Sequence, residues 1–162
     1  MNELEFLPFS AFPRGTMLSL LKDAYSFEPR YERDWLDNWR EADAFFYDRI
    51  AIADACGFVS AMGGMPVGFI CWDPRHKPDY AEIGHNGVSE AFKRRGIGQK
   101  QLREAIRRIE GLGVGRIIVT TDEGLIPAQK NYERAGFAFA GYRENPCNPE
   151  YAGRLMDYEL KL

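Results

Sequence analysis

Between positions 93 and 98 the chain reads Lys-Arg-Arg-Gly-Ile-Gly, and Lys100 follows two residues later. Gly96 and Gly98 let the backbone approach a ligand with no Cβ in the way. A helix starting here offers first-turn N–H groups that have no intrahelical partner, and its dipole favours an anion. Successive N–H groups in such a turn form a nest for phosphate oxygens. Lys93, Arg94, Arg95 and Lys100 surround that nest with positive charge. A pyrophosphate is the guest these features suit, although basic residues before a helix are also common as a solvated face. No Gly-Lys-Ser/Thr follows, so a P-loop is excluded, and Gln101 stands where a dinucleotide fingerprint needs its third glycine.

Just upstream lie two side chains that can take a proton. Glu82 becomes a useful base if partial burial raises its pKa, and His85 has a suitable unperturbed value. Each has a structural alternative, as a salt-bridge partner or a hydrogen-bonded strand residue. Strict strand alternation puts them on opposite faces, unless a bulge intervenes. Cys56, Cys71 and Cys147 are odd in number and lack CxxC spacing; they read as reduced core thiols. His76 sits in a Pro-flanked, exposed loop. No Asp/Glu/His spacing suggests a metal, and none is expected.

These residues need a frame. The 162-residue chain, 45% hydrophobic and 28% charged, suits one globular domain over 1–162 with no staple. An acidic N-terminus is no signal peptide, and no apolar run reaches the ~20 residues of a membrane span. A cytoplasmic protein without membrane attachment is expected. Met17, Leu20, Leu21 and Ala24 predict a helix after Pro13, and a second spans Tyr31 to Tyr47. Gly57–Met62 and Val67–Trp72 flank Gly63-Gly64 as a hairpin, and Tyr80–Val88 is a longer strand. Leu102, Ala105, Ile106, Ile109 and Leu112 mark an amphipathic helix stopped by Gly111 and Gly113. Arg116–Thr121 reads as a buried strand, Pro127–Ala135 as a helix, and Phe137–Tyr142 and Leu155–Leu160 as two last strands. This order gives an α/β fold of the α+β type: a mixed sheet of about six strands with helices on its faces.

Lys93 to Gly98 resembles motif A of the GNAT superfamily, Gln/Arg-x-x-Gly-x-Gly/Ala, with Lys93 where Gln or Arg is usual. Ala128-Gln129-Lys130-Asn131-Tyr132-Glu133-Arg134-Ala135-Gly136-Phe137 resembles motif B, Ala-x-x-x-Tyr-x-x-x-Gly-Phe, about thirty residues on. One departure is Leu125, where the family often has Asn. The two motifs and the elements around them cover about 58–142, the acetyl-CoA-binding core that the resemblance implies, with residues 1–50 as acceptor-side helices. It also implies a mostly antiparallel sheet, the GNAT acyl-CoA N-acyltransferase fold. Lys93, Arg94, Arg95, Gly96, Ile97, Gly98 and Gln99 would then hold the coenzyme A pyrophosphate. The fourth strand would splay from the fifth, with Val88 meeting pantetheine and the thioester.

The activity so implied is direct transfer of acetyl from acetyl-CoA to a primary amine of a small molecule or peptide in a ternary complex. Tyr132 would protonate the departing thiolate. Glu82, eleven residues before Lys93, has the spacing of the catalytic Glu in the histone-acetyltransferase branch; His85 is the other candidate base. From Lys22 to Asp54 nine acids face five bases, interleaved with Tyr25, Phe27, Tyr31, Trp35 and Trp39, so an acidic, aromatic lip would attract a cationic amine. Core packing is the simpler account of Trp35 and Trp39. The alternative function is a non-catalytic or regulatory coenzyme-A-binding domain. The net charge of −3 and a basic helix without aromatics argue against a nucleic-acid partner. A homodimer is compatible with the resemblance.

Overall fold

The apolar residues after Pro13 become the buried side of helix α1 (Thr16–Ala24) in the computed structural model, which describes residues 3–145 and 153–162. Helix α2 (Pro29–Asp48) starts with Pro29 in its first turn, where a missing N–H costs nothing. It buries Trp39, on which Tyr25 stacks at 5.5 Å, while Trp35 packs at the edge of the same cluster. The core-packing account of these two tryptophans therefore holds. Helix α3 (Ile50–Ala55) follows directly.

The described residues divide into two compact units: residues up to Cys71 with His85–Gln101, and Trp72–Gly84 with Leu102 onward. In the first, β1 (Leu4–Leu7) and β2 (Gly57–Met62) pair antiparallel, and β2 pairs antiparallel with β3 (Met65–Asp73). Gly63 and Gly64 both take positive φ, +59° and +79°, as a two-residue hairpin turn requires. Phe9, Met17, Leu21, Val59 and Phe69 are fully buried and centre this unit's core.

In the second unit the start of β4 (Tyr80–Val88) runs parallel to β5 (Arg116–Asp122), joined through helix α4 (Ile97–Glu110), because parallel neighbours need a long crossover. Strand β7 (Leu155–Lys161) pairs antiparallel with β5 and with β6 (Ala138–Arg143), and helix α5 (Ile126–Arg134) precedes β6. Along β5, Ile117, Val119 and Thr121 are buried while alternate residues are half-exposed, the period-2 signature of a strand with one covered face. The ladder between β4 and β5 runs from Tyr80↔Arg116 to Ile83↔Val119. It stops there, although β4 continues to Val88 and β5 to Asp122.

Seven strands are hydrogen-bonded in the order β1-β2-β3-β4-β5-β7-β6, one more than the six expected. The extra one, Leu4-Glu5-Phe6-Leu7, is a four-residue edge strand; it carries too few residues to show a period. The six-residue α3 escaped notice for the same reason.

Asp43 of α2 shows how the first unit is tied. Its carboxylate is buried and accepts the N–H groups of Gly15 (3.1 Å) and Leu18 (3.2 Å). It caps α1, whose own N-cap Gly15 has no side chain to do so. Asp43→Ala leaves both donors unmet and should destabilise the protein by about 1–3 kcal/mol in urea unfolding. A loss below a few tenths would show that α1 needs no cap from α2.

Candidate functional site

The turn before α4 has the backbone that an anion cradle needs. Arg94 has φ +62° and Gly96 φ +77°. A non-glycine residue pays about 1–2 kcal/mol for such a conformation, so Arg94 marks a turn that its surroundings hold in place. The Gly96 N–Cα–C unit is open on the side where a Cβ would stand, with nothing within 4 Å. The first helical bond of α4 is donated by Lys100 N–H to the Gly96 carbonyl at 3.1 Å. The N–H groups of Ile97, Gly98 and Gln99 therefore precede the helical ladder and have no acceptor in it. Ile97 is buried and anchors the turn. The Gln99 amide is buried at both its Nε2 and its Oε1, with no hydrogen-bond partner among the described residues. A buried amide left so is an uncommon feature that a ligand would remedy.

The cations divide into two groups. Arg94, Arg95 and Lys100 are exposed and form no ion pair among the described residues, although Arg95 lies over the Phe92 ring at 5.1 Å. Lys93 is engaged: its ammonium donates to the Ala24 carbonyl, pairs with Glu90 at 2.8 Å and sits 4.6 Å from the centre of the Phe27 ring. It ties the turn to the C-terminal end of α1. Asp23 of α1 adds two more ties, accepting from the Ser89 hydroxyl and from Glu90 N–H at 3.2 Å. Further along α4, Arg107 and Arg108 are held by Glu104 at 2.7 and 2.8 Å. The hydrogen bond from Arg107, then that from Arg108, keeps the Glu104 carboxyl at about 2. This end of the helix is charge-compensated.

The stretch of β4 beyond its ladder with β5 leads into the turn. Here the residue that sequence reading missed is Gln101. It is fully buried. Its Oε1 accepts from the Ser60 hydroxyl at 2.7 Å, and its Nε2 donates to the Phe69 carbonyl (2.8 Å), to Asn86 Oδ1 (2.7 Å) and, less closely, to the Gly87 carbonyl (3.3 Å). Its position four residues before the buried Ala105, on the apolar side of α4, was the available signal. His85 is half-buried, and burial pulls its imidazole below the usual histidine range, which keeps it neutral at pH 7. Its carbonyl accepts the Cys71 thiol at 3.6 Å. Burial pushes that thiol up to about 12. The Cys71 thiol is therefore no nucleophile at neutral pH. Cys56 is likewise a buried thiol; Cys147 lies outside the described residues.

Several of the nine acids expected to form a lip have internal work. Besides Asp23 and Asp43, Asp48 pairs with Arg14 at 2.7 Å and Asp54 accepts the Ser10 N–H at 3.0 Å. Among the aromatics, Phe27 is 53% exposed and touches both Tyr25 (6.3 Å) and Tyr31 (5.8 Å).

In the second unit Glu82 is half-buried on β4 and acts electrostatically on Arg143. Arg143 clasps Asp157 through two bonds of 2.7 and 2.8 Å and reaches Thr120 at 3.2 Å. Tyr132 is buried on α5, with its ring 5.7 Å from Phe137 and 5.9 Å from Tyr158. Leu125, at the N-cap of α5, supplies no side-chain cap. Gln129 closes that turn, donating to the carbonyls of Asp122 (3.2 Å) and Glu123 (2.9 Å). Among the described residues, no group of three His, Cys, Asp or Glu could hold a metal, and no helix is long and apolar enough to cross a membrane.

Comparison with known proteins bears on this arrangement. The family model for the acetyltransferase (GNAT) family matches residues 17–137. The mycothiol acetyltransferase of Corynebacterium glutamicum is 34% identical over 69 residues, which are 43% of this chain and 24% of that protein. The chain thus matches about a quarter of the length of that relative. Among solved structures, the ribosomal-protein-S18-alanine N-acetyltransferase of Escherichia coli has a TM-score of 0.73 at 18% identity, covering 99% of this chain and 94% of that one. A GNAT family acetyltransferase of Elizabethkingia anophelis with acetyl-CoA bound has a TM-score of 0.68 at 14% identity, covering 99% and 98%. At these identities the structural likeness concerns the fold.

The cradle itself is testable with a simple anion. Gly96→Asp puts a carboxylate beside the free N–H groups and a side chain on a left-handed backbone. Its affinity for inorganic pyrophosphate, measured by isothermal titration calorimetry, should fall by about tenfold or more. Equal affinities in variant and wild type would remove the cradle.

Proposed function

This chain belongs to the acetyltransferase (GNAT) family, and we propose that it transfers an acetyl group from acetyl-CoA to a primary amine of a small molecule or peptide. The observation that carries the reading is the turn at Arg94–Gly98. There a left-handed backbone and three N–H groups outside the helical ladder stand among uncompensated cations, a few residues after a strand segment that continues beyond its ladder with β5. The diphosphate of coenzyme A is the ligand that such a turn recognises. Arg94, Arg95 and Lys100 supply charge, the amides of Ile97, Gly98 and Gln99 supply hydrogen bonds, and Lys93 holds the turn to α1.

With the diphosphate fixed there, the acyl arm lies along Gly84–Val88. The Val88 N–H supports the negative charge that develops on the thioester oxygen as the amine attacks. A neutral amine is needed, and we assign the proton acceptor to His85: burial keeps its imidazole uncharged at pH 7, and it lies three residues nearer to Val88 in sequence than Glu82. Glu82 is the competing base. Tyr132 gives a proton to the departing thiolate, whose own low basicity keeps this gain at the lower end of the ~10²–10⁴-fold usual for general acids.

The test is release of free thiol from acetyl-CoA in the presence of spermidine, tyramine, phenethylamine and a tripeptide with a free amino terminus. Amine-dependent release supports the reading. Tight acetyl-CoA binding with no release across the panel would instead support a coenzyme-A-binding domain without turnover.

The base assignment is checked by the pH profile. His85 is the proton acceptor only when neutral, so the wild-type rate should fall as pH drops through a value below the ordinary ~6.5. His85→Ala should lower kcat about 10²-fold and abolish this limb, and Glu82→Gln should keep it. The reverse pattern would transfer the role to Glu82.

A further inference from the structure

The buried network around Gln101 is built at a specific place, the peptide joining Gly87 to Val88. Gln101 Nε2 lies 3.3 Å from the Gly87 carbonyl oxygen, and its other bonds, to Asn86, Phe69 and Ser60, hold the amide in one orientation. The same carbonyl lies over Gly68. A Cβ at position 68 would stand 2.7 Å from the Gly87 oxygen and 2.8 Å from Gln101 Oε1. Gly68 is thus the residue that leaves space for both. Ser89 N–H donates to the Val67 carbonyl at 2.8 Å, so Gly87 and Ser89 both turn their backbone groups toward β3.

The Gly87–Val88 peptide is trans, since the only cis bond among the described residues is Lys77–Pro78. In a trans peptide the C=O and N–H point in opposite directions. A Gly87 carbonyl turned toward Gln101 therefore turns the Val88 N–H away from β3. On the other face, Ala24 of α1 lies 3.1 Å from where a Gly87 Cβ would stand, so the strand is held from both sides. A polar side chain in a core is costly unless fully satisfied, and a leucine would pack here at lower risk.

We propose that Gln101 is a positioning residue for acyl transfer: by binding Asn86 and the Gly87 carbonyl it aims the Val88 N–H at the thioester oxygen. This rests on the acetyl-CoA reading above. Gln101 itself touches neither substrate; it acts through the peptide that does. A donor misaimed by even 1 Å loses much of its worth.

The experiment uses the carbonyl stretch of bound 13C-acetyl-CoA, an infrared signal that needs no acceptor. In the wild type the hydrogen bond should shift this band below that of free acetyl-CoA. Gln101→Met, near in volume but without donors, should return the band toward the free value. It should also lower kcat with the fastest panel amine by about 10- to 100-fold while leaving the affinity for coenzyme A within about threefold, because the cradle amides are untouched. If Gln101→Met does not fold, Gly68→Ala, which displaces the same carbonyl, should give the same loss of shift. A folded Gln101→Met or Gly68→Ala with the wild-type band and kcat would overturn the positioning role alone. A wild type that binds no acetyl-CoA would overturn both it and the reading beneath it.

Discussion

The proposed cofactor site depends on one constraint: the turn before α4 must present N–H groups that the helix does not claim. Any helix leaves its first-turn N–H groups without an intrahelical acceptor, and what differs here is the turn that precedes them. Arg94 and Gly96 both take positive φ just before the helix, whose first bond runs from Lys100 N–H to the Gly96 carbonyl. Such a turn is intrinsically unfavourable, most of all at an arginine. The surroundings compensate for it. Ile97 is buried just inside the helix, and Lys93, Ser89 and Glu90 are tied to the last turn of α1 through Ala24 and Asp23. The strain and its restraints are adjacent in space, as expected where a conformation is kept for binding.

The same economy governs charge. The sequence between Lys93 and Arg108 carries six cations besides Lys93 itself, and counted alone they suggest a broad basic face. The structure compensates Arg107 and Arg108 through Glu104 and commits Lys93 to α1, which leaves Arg94, Arg95 and Lys100 at the turn and Arg103 one helical step beyond it. A small dense anion suits that distribution better than an extended polyanion. On α2 and α3 the acids follow the opposite course: Asp43, Asp48 and Asp54 serve caps and ion pairs, so charge counting overstated the acidic lip.

What could be read from sequence were features set by neighbours along the chain. The period of α4, the β-branched run of β5, the Gly63-Gly64 hairpin and the glycine-rich turn all follow from local rules, and all stand where they were expected. Other features did not show. The β1 strand is too short to have a pattern, and its existence depends on β2 offering an edge. The attachment of Lys93 to Ala24, 69 residues away, has no local signature. Gln101 looked like a missing glycine, and its meaning came only with Ser60, Phe69 and Asn86 around it. The candidate site was legible where backbone geometry makes it and illegible where distant side chains hold that geometry.

The most direct measurement is hydrogen exchange at the backbone amides of Gly96 to Gln99, compared with no ligand, with coenzyme A and with pantetheine, which lacks the diphosphate. If the turn grips a diphosphate, coenzyme A should slow exchange at these amides and pantetheine should leave them unchanged. Equal exchange in all three conditions, under concentrations at which coenzyme A is bound, would contradict the account.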